Sequence, residues 1–198
     1  KDKNCELAIP VLKRLETDAE YPQNTTFAQA NLMKCYYEKH DFANSEIYAD
    51  KVLKNPKMDD KIKSDAQIII ARSAIKTNND AKAKEAYAKL QKIAKGELAA
   101  EALYYEAYFK NKEGKFDASN KVVEKYSSTY SGYKYFGAKS LVLMAKNYYG
   151  LKDSFQATEI LQSIIDNFTE FPDVVTECQT ELDTIKAEEA KTNSSVTE

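Results

Sequence analysis

Apolar side chains recur at helical spacing in paired segments along the chain, and a short polar turn divides each pair. The turns are Lys39–Phe42, Asn78–Asp80, Glu113–Phe116 and Leu151–Asp153. A small residue follows each one, at Ser45, Ala83, Ser119 and Ala157, with spacings of 38, 36 and 38 residues. In the second pair Ile70, Ala71 and Ala74 share one face, and Ala83, Tyr87 and Leu90 share the next helix's face. In the fourth, Leu141, Met144, Ala145 and Tyr148 form one stripe and Ala157, Leu161, Ile164 and Ile165 the other. Small residues at one place in each helix let two backbones approach closely, and a large side chain one turn away fills the adjoining space. Helices joined by such short turns must lie antiparallel. A single pair buries too little apolar surface to stand alone, so successive pairs are expected to stack.

The predicted organisation is all-α, a single solenoid over residues 1–190 with about ten helices. Helix-pair repeats fall at about 26–56, 64–95, 98–127 and 134–168, preceded by a half repeat at about 5–19. That half repeat reads as a second helix starting at Ala8 or Ile9, because Pro10 is best tolerated near a helix start. The third pair departs from the pattern. Leu103, Glu106, Ala107 and Lys110 put charges where apolar residues belong, so its first helix is expected to be rotated, with Ala102, Tyr105 and Phe109 inward, or to carry an extra residue before Gly114. After Pro172 a capping helix over 173–190 is expected. Val174, Val175, Cys178, Leu182 and Ile185 form its inner stripe, with Glu177, Glu181, Asp183, Glu188 and Glu189 outward. Residues 191–198 have nothing to bury and are expected to be disordered.

The repeat resembles the tetratricopeptide repeat (TPR) over about residues 26–168. Its first-helix signature stands as Gln29, Leu32-Met33, Tyr36, as Gln67, Ile70-Ala71, Ala74, and as Leu141, Met144-Ala145, Tyr148. The second-helix signature stands best as Ala83 with Tyr87, more loosely as Ala157 with Leu161, and the closing proline only as Pro56. The resemblance implies a right-handed superhelix whose first helices line a concave groove. It also implies a non-enzymatic scaffold for protein–protein interaction. The residues of this sequence that would face a bound partner are then Lys34, Tyr37, Arg72, Lys76, Tyr104, Tyr108, Lys146 and Tyr149. Repeats longer than the usual 34 residues, with aromatic-rich linkers at 126–130 and 166–172, resemble those of bacterial envelope proteins. These are the outer-membrane assembly lipoproteins and the coordinator of the Tol system. A bacterial cell envelope location follows from that likeness, with the cytoplasm as the alternative.

Composition narrows the chemistry. With 29 Lys+Arg against 31 Asp+Glu, bulk positive charge does not favour nucleic acid. No stretch approaches the roughly 20 apolar residues of a transmembrane segment. One histidine, His40, sits in an inter-helix turn, where it tolerates positive φ. No phosphate loop, serine elbow or metal-spaced set of ligands is present, so no catalytic residue, cofactor or metal is expected. Three cysteines make no disulfide framework. Cys35 and Cys178 are expected as small core residues, and Cys5, near the exposed start, as an incidental cross-link between molecules.

Tyrosine exceeds background, with nine of the 14 between residues 104 and 149. Tyrosine gives contact area at low entropic cost, and flanking Lys and Arg favour an acidic peptide or protein partner. A second reading has the Tyr-rich linkers at 126–136 bind glycan or membrane-protein components of an envelope. The chain also lacks an initiator Met, and the half repeat lacks a first helix. Further repeats are therefore expected before residue 1. Leu7, Val11, Leu12 and Leu15 cannot all face the next repeat, so this N-terminal edge is a second candidate binding surface, or a site of homodimerisation.

Overall fold

The structure, a computed structural model, describes residues 2–195, with side chains over 4–191. Ten helices and no strand are found among the described residues: α1 (Asp2–Asp18), α2 (Pro22–Glu38), α3 (Phe42–Lys54), α4 (Asp60–Lys76), α5 (Asp80–Leu90), α6 (Gly96–Lys112), α7 (Phe116–Thr129), α8 (Lys134–Gly150), α9 (Ser154–Asn167) and α10 (Pro172–Ser195). This is the all-α, helix-pair repeat class expected from the sequence. The first helices α2, α4, α6 and α8 are each 17 residues long, and the second helices α3, α5, α7 and α9 are 13, 11, 14 and 14.

One turn design joins each pair. His40, Asn78, Gly114 and Lys152 hold φ of 59°, 55°, 70° and 69°, a left-handed residue at the same place in every repeat. The following amide reaches back to close the first helix: Asp41 N to Tyr36 O at 2.9 Å, Asn79 N to Ala74 O at 2.8 Å, Lys115 N to Lys110 O at 2.9 Å and Asp153 N to Tyr148 O at 2.9 Å. The residue that ends one helix also starts the next. Asp41, Asn79 and Asp153 accept from the amides of Asn44, Lys82 and Gln156 at 3.1, 3.1 and 3.0 Å, whereas Lys115 has no side-chain cap. Two residues therefore reverse the chain and satisfy both helix ends.

The close approach falls at the expected small residues. Ser45, Ala83, Ser119 and Ala157 are fully buried, and the positions twelve earlier, Met33, Ala71, Ala107 and Ala145, are buried with them. The Ser45 hydroxyl donates to the Met33 carbonyl and that of Ser119 to the Ala107 carbonyl, each at 2.9 Å. The second contact corrects both expectations for the third repeat. α6 keeps the common register, with Leu103 and Ala107 buried; Ala102 and Phe109 are buried too, as expected, but Tyr105 is only half-buried. Glu106 and Lys110 neutralise each other one turn apart at 3.4 Å, so the charges need no rotation of the helix.

Compact packing divides the chain between Ala99 and Ala100, inside α6. In the first unit each helix from α1 to α5 packs on the next, and α2 also touches α4. In the second, α7 packs on α8, α8 on α9 and α9 on α10, while α8 also touches α10. A buried amide chain crosses this second core. Asn111 donates to Asn147, and Asn147 donates to Asn120, both at 2.8 Å, with Asn147 wholly buried.

The ends differ from expectation. α1 begins at Asp2 and carries Pro10 inside it. Cys5 and Cys35 are joined to each other, tying α1 to α2 across 30 residues with Cα atoms 5.1 Å apart, so neither is an intermolecular cross-link or a simple core residue. Cys178 is free and buried, as expected. α10 runs to Ser195, past the expected end at Ala190, and residues 196–198 of the expected tail lie outside the described residues.

The turn design makes opposite predictions for two positions. An added Cβ at Gly114 meets nothing within 4 Å, so Gly114→Ala tests backbone conformation alone and is expected to cost about 1 kcal/mol in urea denaturation. Lys152→Gly is expected to gain about 0.5 kcal/mol, because relief of the left-handed residue exceeds the added chain entropy.

Candidate functional site

The outward face of a first helix is defined by its register. Lys34, Arg72, Tyr108 and Lys146 occupy one equivalent position in α2, α4, α6 and α8, and Tyr37 and Tyr149 lie three residues further on. Tyr104 belongs to another position, shared with Ala30, Ile68 and Val142, and all four are buried. Its ring packs 5.4 Å from Phe136, and burial pushes its phenol well above the ordinary value. Tyr104 is therefore a core residue and offers no groove surface. The apolar character of Ala30, Ile68 and Val142 was the signal in the sequence that marks it as such.

The cations of this face are committed within the chain. Lys34 on α2 lies 2.7 Å from Asp65 on α4. Lys146 on α8 lies 2.8 Å from Glu177 and 3.0 Å from Glu181 on α10, and Lys139 joins Glu177 at 2.8 Å. Both pairings span 31 residues, so α10 stands to α8 in this contact as α4 stands to α2. Glu177 and Glu181 are half-buried against α8 and not outward as expected, whereas Glu188 is exposed as expected and accepts from the Tyr149 hydroxyl; Tyr135 donates to Asp173 at 2.8 Å. Asp183 and Glu189 are exposed, as expected. Burial works to raise the Glu177 carboxyl, but hydrogen bonds and charge from Lys139 and Lys146 outweigh it and hold it below the usual carboxylate range. Tyr135 is pushed up to about 12 by burial and by its bond to Asp173.

The other candidate residues are spread over both units. Tyr37 is half-buried with its ring 5.9 Å from Phe42, Arg72 is half-buried, and Lys76 is exposed at the end of α4. On the second unit Tyr108 is half-buried among Tyr105 at 5.6 Å and Phe109 at 5.3 Å, with the Lys112 ammonium 5.5 Å from its ring centre. In the Tyr-rich linker, Tyr126 is buried and donates to the Tyr133 carbonyl at 2.8 Å, leaving Tyr133 and Tyr135 partly exposed. At the N-terminal edge Leu7 and Val11 are 75% and 66% exposed, one turn apart on α1, while Leu12 is buried and Leu15 half-buried.

His40 occupies the turn with its ring 5.8 Å from Phe42. Among the described residues no group of three or more His, Cys, Asp or Glu could hold a metal ion, and no helix is long and apolar enough to cross a membrane. Two open depressions mark the first unit. One of about 420 Å³ is lined by residues including Asp60, Ser64 and Ile93, and one of about 330 Å³ by residues including Thr26, Gln29 and Asn55. Neither gathers a nucleophile, a base and an orienting group.

Residues 65–94 and 139–170 match the tetratricopeptide repeat family model. These segments correspond to most of the α4–α5 pair and of the α8–α9 pair. None of the curated proteins matches the chain. Two segments of the chain are thus similar to tetratricopeptide repeats, which generally mediate protein–protein interaction.

Glu177 supplies a pH test. Its folded carboxyl is held low, so its stabilisation is complete above the unfolded value of about 4.3 and is lost as pH falls through the lowered folded value. Its ion pairs are about a third exposed, so Glu177→Gln is expected to cost about 1 kcal/mol at pH 7 in urea denaturation, and less once wild-type Glu177 is itself protonated. Unchanged stability at pH 7 would mean that the apolar stripe alone holds α10.

Proposed function

We propose that the chain is a non-enzymatic protein-interaction scaffold that binds an acidic segment of a partner protein on the first-helix face of its first unit. The observation that carries this reading is the placement of Arg72 and Lys76 one turn apart on α4, with Tyr37 presented from the neighbouring α2. Guanidinium, ammonium and a tyrosine ring together suit a carboxylate-bearing peptide, with the ring supplying contact area and the cations orientation. The Cys5–Cys35 disulfide supports an oxidising compartment, and so the bacterial cell envelope over the cytoplasm.

A second reading is favoured by the exposure of Leu7 and Val11, which would place a partner, or a second copy of the chain, on the outer side of α1. Affinity capture from periplasmic and cytosolic fractions separates the two, once circular dichroism shows equal helicity. Tyr37→Ala/Arg72→Glu/Lys76→Glu is expected to lose a periplasmic protein partner that Leu7→Glu/Val11→Glu retains. Loss only in the second variant would move the site to the α1 edge, and a partner retained by both would contradict both surfaces.

A further inference from the structure

α1 is fastened to α2 by unlike attachments at its two ends. Near the start, the Cys5–Cys35 disulfide is joined by an ion pair between Glu6 and Lys39 at 2.8 Å. Near the end, the Glu16 carboxylate accepts from Gln29 at 3.0 Å, from the Tyr48 hydroxyl at 3.0 Å and from Lys51 at 2.7 Å, linking α1 to α2 and α3. Pro10 stands between the two. It has no N–H to donate, so the backbone ladder of α1 lacks a bond there.

The apolar hold of α1 before Pro10 is thin, with Ala8 and Ile9 only half-buried. Among its described side chains Cys5 and Leu12 are buried, whereas Leu7 and Val11 face solvent. The surface beneath is not thin. Gln29, Cys35, Tyr36 and Lys39 of α2 each meet α1, with the Lys13 ammonium 5.8 Å from the Tyr36 ring centre. Leu32, fully buried, lies on the same helical stripe.

We propose that the disulfide makes the N-terminal half of α1 a redox-held strap, hinged near Pro10. With Cys5 and Cys35 joined, the strap covers the Cys35–Lys39 end of α2. On reduction it lifts away, while the Glu16 cluster keeps the C-terminal half of α1 in place. The reductant is a dithiol. One of its thiolates attacks the Sγ of Cys35, the less buried residue of the two; the Cys5–Cys35 bond breaks, and Cys5 leaves and takes up a proton. The second thiol of the reductant then attacks the mixed disulfide, releasing Cys35 as a thiol and closing the reductant's own disulfide. Two electrons and two protons pass to the chain. The Glu38 carboxylate, 3.4 Å from Cys5 Sγ, opposes negative charge on the departing sulfur, which favours the joined form as the resting one. This device is independent of what α2 and α4 bind.

Hydrogen–deuterium exchange on the full chain tests it, in the oxidised form, after dithiothreitol, and in Cys5→Ala/Cys35→Ala. Peptide mapping of the oxidised form should find the Cys5–Cys35 cross-link. Reduction should raise exchange over residues 6–12 about tenfold or more, leave α4 and α5 unchanged, and be reproduced by the double variant without reductant. The proposal is overturned by absence of the cross-link, by equal protection of residues 6–12 in both redox states, or by loss of protection in α4 and α5 together with α1, which would make α1 part of one cooperative core.

Discussion

The close approach of two helices at a small side chain of the second helix is the constraint on which each repeat depends. Ser45, Ala83, Ser119 and Ala157 are fully buried opposite Met33, Ala71, Ala107 and Ala145. Nothing much larger than serine has room at the second-helix position, because a serine hydroxyl there already reaches the backbone of the facing helix. That contact sets the rotation of both helices, and the left-handed residue of the turn brings the chain back at the length the contact needs. Once the rotation is set, every other position has a determined direction. Positions equivalent to Tyr104 fall in the core, and those equivalent to Lys34 fall on the outer face.

The same geometry decides how charge is used. A cation at the outer-face position of one first helix meets a carboxylate 31 residues later, as in Lys34–Asp65 and Lys146–Glu177. These contacts orient neighbouring helices more than they stabilise them, since partly exposed ion pairs contribute little. α10 enters this scheme as a first helix would, with Val174, Cys178, Leu182 and Ile185 buried on one side and carboxylates paired to α8 on another. Gly150 shows how tightly the second unit is closed, for a Cβ there would come within 2.5 Å of the Phe116 ring.

The helix-pair repeat class and the small-residue contact were legible in the sequence, because helical periodicity and a constant spacing report directly on which faces meet. The positive φ of His40 was legible for the same reason. The third repeat was misleading because Glu106 and Lys110 look destabilising singly, and their mutual neutralisation depends on a register that composition does not reveal. Tyr104 was misplaced by its residue type, although its equivalents Ala30, Ile68 and Val142 pointed inward. The pairing of Lys34 and Lys146 with Asp65 and Glu177 needed knowledge of which first helices are neighbours. The Cys5–Cys35 bond and the Asn111–Asn147–Asn120 chain carry no spacing signature, since each is made by residues that only the fold brings together.

The dependence on close approach is tested most directly by two alanines of α5. Ala83 is fully buried at the contact, and Ala81, two residues before it, is exposed. Urea denaturation of Ala83→Leu and Ala81→Leu compares the same chemical change in the same helix. The account predicts a loss of about 1–3 kcal/mol or more for Ala83→Leu, against a change within about 0.5 kcal/mol for Ala81→Leu. Equal stability of the two variants would contradict it, because the helix pair would then be held by something other than the contact at its small residues.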